Sequence, residues 1–304
     1  MNPAWSVIGF TTLAGAAQGL VVALAMLQLL GAGIAPELQR GLLLLAAGLL
    51  VAGLVSSFLH LGRPERAWRA AAMWRTSWLS REVIVLPAFT AAVLLAAAWG
   101  SVPGWLWLLL IAGAALLWWC TAMIYACLRF IQEWAHPYTV AGCTLIGLAT
   151  GAVLLGAALH AAGPAELAQA LVPWALGMTL AAWVVRGAAL LRNATLKPKS
   201  TLQSATGIHA PALRQVSMGM TGGSFNTREF FHRASAATLP RLKWAFQGLL
   251  FLLPGLLLAA LFGGAPPWLW WLALASQVPG VLAERWLFFA QARHPQNLYY
   301  QVVS

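Results

Sequence analysis

Residues 60–82 read HLGRPERAWRAAAMWRTSWLSRE and hold five arginines (Arg63, Arg66, Arg69, Arg75, Arg81), two glutamates and a histidine, in a chain only 8% charged. Apolar runs flank them, GLLLLAAGLLVAGLVSSFL before and VIVLPAFTAAVLLAAAW after. His60 falls at the C-terminal end of one expected helix, where the macrodipole favours imidazolium. Glu82 falls in the first turn of the next, where it favours carboxylate. A histidine and a carboxylate so placed form a complementary acid and base pair that can hold and pass protons. A plainer reading also stands: Ser80 caps the third helix, Glu82 answers the helix dipole, and His60 is an interfacial residue. The arginines have two roles open to them, contact with anionic headgroups or pairing with carboxylates of a docked soluble protein. Trp68, Trp74 and Trp78 are interfacial anchors or walls of a pocket.

These residues are held by elements of one kind. A chain of 304 residues that is 61% hydrophobic, with 17 Trp and mean hydropathy +0.77, does not fold as an ordinary soluble domain. Apolar runs of roughly 20 residues, enough for a bilayer core, occur eight times. Leu/Ala richness without period-2 alternation makes them helices. The spacing predicts spans at about 7–31, 41–61, 82–99, 104–128, 139–161, 168–191, 242–262 and 267–290. The fold class is therefore an all-α polytopic membrane bundle, one domain over 1–304, with Pro87, Pro254 and Pro279 expected to break helices.

Orientation follows from the basic residues. The 60–82 connection, Arg129, the 192–240 connection and Arg293 fall on one face, whereas the other receives little beyond Arg40. Basic loops collect in the cytoplasm, so eight spans are expected with both termini cytoplasmic. The net charge of +11 then reports topology and not nucleic-acid binding. MNPAWSVIGF lacks a basic n-region and an obvious cleavage site, so the first helix is expected to remain. The 192–240 connection is the one sizeable soluble piece, rich in Ser, Thr, Gly and Pro, and expected to be loop. Its GMTGG follows no strand and is not a phosphate-binding fingerprint. Asn193-Ala-Thr195 fits a glycosylation pattern on the wrong side of the membrane.

Ionisable and amide side chains within spans carry a functional hypothesis by default. Gln18 lies near the middle of the first helix, Tyr125, Arg129 and Glu133 where the fourth emerges, and Glu284 with Arg285 toward the cytoplasmic end of the eighth. Each can face a cavity or bond helix to helix. Cys120, Cys127 and Cys143 form no CxxC pair, and are expected to be small buried apolar residues without cluster or zinc. His60 and His160 end spans at opposite faces, so they share no iron and no haem is expected.

The segment HLGRPERAWRAAAMWRTSWLSRE resembles the signature of the DmsC family, membrane anchor subunits of dimethyl sulfoxide reductase and related molybdenum enzymes. RPERAWR…WRTSWLSRE, with MIYACLRF and FNTREFFHR, resembles the anchors of its sulfite-oxidising branch. The resemblance implies a multi-pass protein of the bacterial inner membrane that binds a quinone, menaquinone or ubiquinone. Electrons would pass between it and a molybdopterin catalytic subunit through a four-cluster, ferredoxin-like iron–sulfur subunit, with no iron–sulfur cluster, haem or metal in this chain. Carried onto this sequence, the family's quinol-linked histidine and glutamate are His60 and Glu82. Arg63, Trp78 and Arg81 beside them, and Gln18, Tyr125 and Glu284 deeper in, are candidates to line the quinone cavity. The chemistry agrees, because a quinol releases two protons with its two electrons and needs a nearby acceptor. The alternatives are a transporter, for which no corresponding broken-helix halves are visible, and a purely structural anchor, which leaves His60 and Glu82 unexplained.

Overall fold

In a computed structural model, which describes residues 1–59, 61–214, 216, 231–232, 234–235 and 237–298, the apolar runs become long helices with recognisable starts. They are α1 (Trp5–Leu29), α2 (Pro36–Phe58), α3 (Trp78–Ala98), α4 (Gly104–Ala126), α5 (Pro137–Ala162) and α6 (Ala165–Ala194). A short α7 (Leu202–Thr206) follows in the long connection. Then come α8 (Thr238–Phe246), a π-helical turn (Gln247–Leu252), α9 (Leu253–Phe262) and α10 (Leu269–Ala290). Pro36 and Pro137 stand at the first helical positions of α2 and α5, where no amide hydrogen is needed.

Several helices begin earlier than hydropathy alone predicts: α2 at Pro36, α3 at Trp78 and α8 at Thr238. Their first turns carry Gln39 and Arg40, Ser80 and Arg81, or Arg241 and Lys243. These residues are helical without being apolar, so a transfer scale does not count them. Among the described residues seven helical stretches are long and apolar enough to cross a membrane, with Thr238–Phe262 counted as one. The remaining long helix, α10, has 22 residues, but Gln277, Glu284 and Arg285 interrupt its apolar character.

Pro87 and Pro279 do not break α3 and α10; both lie inside continuous helices, as does Pro173 in α6. Pro254 follows the π-helical turn, whose wider register absorbs the missing donor. The Leu249 carbonyl of that turn accepts from Ser276 Oγ of α10 at 2.7 Å. In the 192–240 connection the expected loop contains α7, begun by a reciprocal Thr201–Ser204 cap and ended at Gly207 with φ 70°.

α1 and α5 form the axis: 61% of the apolar core of each is buried, against 33–39% for the other spans. They meet backbone to backbone. A Cβ on Gly19 would lie 1.9 Å from the Gly147 carbonyl oxygen, and one on Gly151 would lie 2.1 Å from the Gly19 carbonyl carbon. The sequence places Gly15 and Gly19, and Gly147 and Gly151, four apart, the small-residue spacing that lets membrane helices approach closely. α2, α4 and α10 pack around α1, α3 sits against α2 and α4, and α6 joins α5 to α9. The Met1 amino group donates to the Ala292 carbonyl at 2.8 Å, so the N-terminus and the end of α10 meet at one end of the bundle. Burial pulls that amine down to about 6.

Gly151→Ala should force α1 and α5 apart and cost about 1–3 kcal/mol, as overpacking does. Gly177→Ala, whose new methyl meets nothing within 4 Å, should be neutral or gain up to ~1 kcal/mol of helix propensity. Thermal unfolding in detergent, followed by tryptophan fluorescence, separates the two.

Candidate functional site

The site begins with a cap. The Ser77 side chain accepts from the Ser80 amide at 3.3 Å, which starts α3 at Trp78. Ser77, and not Ser80, is therefore the cap. Glu82 consequently falls in the second turn, past the reach of the dipole that its expected first-turn position relied on. It points inward instead. Glu82 is 5% exposed, and its Oε1 accepts from the Thr121 hydroxyl of α4.

The arginine-rich connection stays outside. A 3-10 segment (Pro64–Ala71) and the turns after it leave Arg63 exposed and Trp68 and Trp74 at 70% and 52% exposure. Arg81 Nε donates to the Trp74 carbonyl at 2.9 Å and Nη2 to the Arg75 carbonyl at 2.8 Å. Its guanidinium lies 4.1 Å from the centre of the half-buried Trp78 ring. Arg81 thus ties the turn to α3, and Trp78 supports Arg81. His60 lies outside the described residues.

A second polar group lies across the axis, at the same end of the bundle. Glu284 of α10 is fully buried, with Oε1 2.7 Å from Arg186 Nε of α6 and Oε2 2.6 Å from Arg285 Nε. The contacts are ion pairs by distance but lack directional hydrogen-bond geometry, and Arg186 Nη2 has no hydrogen-bond partner among the described residues. Arg285 Nη1 donates to Cys143 Sγ of α5 at 3.3 Å. Two guanidiniums thus face one carboxylate. Glu284 and Arg285 stand out in the sequence by their place in an apolar run. Arg186 escapes notice there, its signal being a lone arginine in VPWALGMTLAAWVVRGAALL. The expectation of buried apolar cysteines holds for Cys120 alone, since Cys127 is exposed and Cys143 is a partner of Arg285.

Between Glu82 and this ion cluster the structure brings together the two other candidates, Gln18 and Tyr125. A cavity of about 30 Å³ is lined by Thr12, Gln18, Trp118, Thr121, Tyr125 and Arg285. Gln18 is 2% exposed and donates to the Ala14 carbonyl of its own helix at 2.9 Å, so of the two fates open to it the structure shows the cavity lining and not a bond to a neighbouring helix. Gln18 Oε1, Thr12 Oγ1 and Trp118 Nε1 are buried without a protein partner among the described residues. Tyr125 packs edge-on against Trp134, Phe288 and Phe289, with centroids 5.2–5.5 Å apart. A second cavity, about 20 Å³, is lined by Glu133, His136, Arg186, Arg192, Glu284 and Arg285. The two share Arg285, Cys143 and Phe288. His136, at the outer edge, has its imidazole pulled below the usual range by desolvation first and Arg192 second.

Glu284→Met should strand two buried guanidiniums and cost about 3–5 kcal/mol. Arg186→Met, which leaves Glu284 paired with Arg285, should cost far less. The yield and thermal midpoint of each variant in detergent test this asymmetry.

Known proteins are similar to this chain in sequence. The family model described as DMSO reductase anchor subunit (DmsC) matches residues 1–289. A sulfite dehydrogenase subunit from Allochromatium vinosum is 46% identical over 329 aligned residues, with 100% of both chains covered.

Proposed function

The chain belongs to the DmsC family of anchor subunits, and from that premise we propose that it is the quinone-reactive membrane subunit of a sulfite-oxidising molybdenum complex. The full-length likeness to a subunit of a sulfite dehydrogenase favours this branch. The observation that carries the reading is Glu82, a buried carboxylate bonded to Thr121 at the basic end of a membrane bundle. A purely structural anchor gives such a group no task, and a buried ionisable residue in a span is costly to keep.

Oxidation of sulfite by a molybdopterin subunit releases two electrons, which pass through an iron–sulfur subunit to quinone, either ubiquinone or menaquinone. The soluble subunits dock on the basic face, where the 60–82 and 192–240 connections lie. All eight long helices span the bacterial inner membrane, with α10 as the eighth and both termini cytoplasmic, as the basic loops require. Cavities of 20 and 30 Å³ are the size of one or two water molecules, at about 10–15 Å³ each, and too small for a quinone ring. The headgroup docks beside Glu82, between the end of α2 at Phe58 and Arg63; the open pocket of about 790 Å³ lined by Phe130, Gln203, His232 and His294 at the same end does not include Glu82. There it is near the docked clusters, and His60 and Glu82 supply its protons.

In the purified complex, Glu82→Gln and His60→Ala should lower quinone-linked sulfite oxidation by roughly 10²-fold, the lower range for losing a positioned acid or base. Oxidation with dyes that take electrons from the soluble subunits should stay unchanged. Normal quinone turnover in both variants would place the quinone elsewhere. In a background without native cysteines, Ser200→Cys and Pro266→Cys should react with impermeant thiol reagents from opposite sides of the membrane; reaction of Ser200→Cys from outside intact cells refutes the orientation.

A further inference from the structure

Reduction of one quinone takes up two electrons and two protons, and Glu82 is closed off from bulk water at 5% exposure. The protons need a route, and the described residues of the bundle interior include a set of groups suited to it. Thr121 bonds Glu82 on one side and lines the 30 Å³ cavity on the other. Within that cavity three buried polar atoms, Gln18 Oε1, Thr12 Oγ1 and Trp118 Nε1, lack protein partners among the described residues. They come from α1 and α4 and supply two acceptors and two donors, since the threonine hydroxyl serves as both. Buried polar groups in a cavity of this size are the conditions under which protein interiors hold water, and the volume suits about two molecules at ~10–15 Å³ each. Arg285 and Cys143 form the wall shared with the 20 Å³ cavity. There Arg186 Nη2 is again without a hydrogen-bond partner, and Glu133 and His136 stand at the outer side.

We propose that these two cavities hold a water chain that conducts protons from the Glu133–His136 edge, past the Arg186–Glu284–Arg285 cluster, to Thr121 and Glu82. The proposal rests on the quinone reading of Glu82 and adds the path that feeds it. The charged groups facing the chain divide the work. Glu284 is held between two guanidiniums at 2.7 and 2.6 Å, so the cluster orients water and the proton travels on the water itself. Gln18 is the positioning residue. Its amide nitrogen is fixed on the Ala14 carbonyl, which leaves its buried oxygen, without a protein partner among the described residues, as the acceptor at the cavity wall.

Gln18→Leu removes the acceptor and fills the space, and Thr12→Val removes a second polar group nearer the N-terminus of α1. In the complete complex reconstituted in liposomes, both should lower quinone-linked turnover at saturating quinone by about tenfold or more, short of the 10²-fold cost of losing the acid itself. The KM for quinone should hold, the solvent deuterium isotope effect should rise, and dye-linked sulfite oxidation should be unchanged. Gln18→Glu, which keeps an oxygen acceptor, should restore most of the rate. Thermal midpoints of the variants identify any that fail by misfolding, and the second site then decides. If folded Gln18→Leu and Thr12→Val turn over quinone at the normal rate and isotope effect while Glu82→Gln is impaired, the chain of cavities is not the path. If Glu82→Gln is itself normal, the quinone reading falls first, and the path with it.

Discussion

Helices in a bilayer gain little by hiding leucine from lipid tails, so a bundle holds where backbones come close enough for dense packing. Here that place is the crossing of α1 and α5. Gly19 and Gly151 leave no room for a Cβ against the opposite backbone, and the other helices take their positions from this pair. Outer helices keep leucine and valine on their lipid faces, Leu44, Leu108, Val184 and Leu256 among them.

Two neighbouring glycines of the same helices border a void in an otherwise dense interior. Gly15 and Gly147 line the 30 Å³ cavity, next to Gln18 and Thr150. Side chains too short to fill the space beside a tight crossing leave a pocket, and polar groups turn it into a place for water. Close packing and internal polarity therefore sit side by side along α1 and α5.

Among the described residues the buried charges, Glu82, Arg186, Glu284 and Arg285, gather in the basic half of the bundle. Glu82 is answered by a hydroxyl of α4, Glu284 by guanidiniums from α6 and α10, and Arg285 by a thiol of α5. Each partner lies on a different helix from most of the others, so the polar set also fixes how the outer helices sit around the axis. The exposed arginines of the 60–82 connection contribute little to this core. Arg69, Arg75 and Arg81 each lie over the preceding or nearby tryptophan, at 5.5, 5.3 and 4.1 Å, which leaves the connection as a basic outer face.

Composition and periodicity alone determined the helical membrane class and the approximate place of every long helix, because the length of an apolar run is a local property. They also marked Gln18, Tyr125 and Glu284, since a polar side chain in an apolar run is visible without knowing its neighbours, whereas Glu82 stood out as the end of a charged segment between two apolar runs. Helix starts differ from expectation where first turns are polar, as at Ser77 and Trp78. Pro254 reads as a break because the π-helical turn that accommodates it leaves no hydropathy signal. Only the tertiary structure decided which polar residues meet. That Arg186 of α6 reaches Glu284 of α10, that Cys143 receives Arg285, and that Gln18 lines a cavity and bonds only within its own helix all depend on how α1, α5, α6 and α10 rotate about their axes. That rotation is set by the glycine crossing and by side-chain packing between distant segments, and no local pattern in the chain records it.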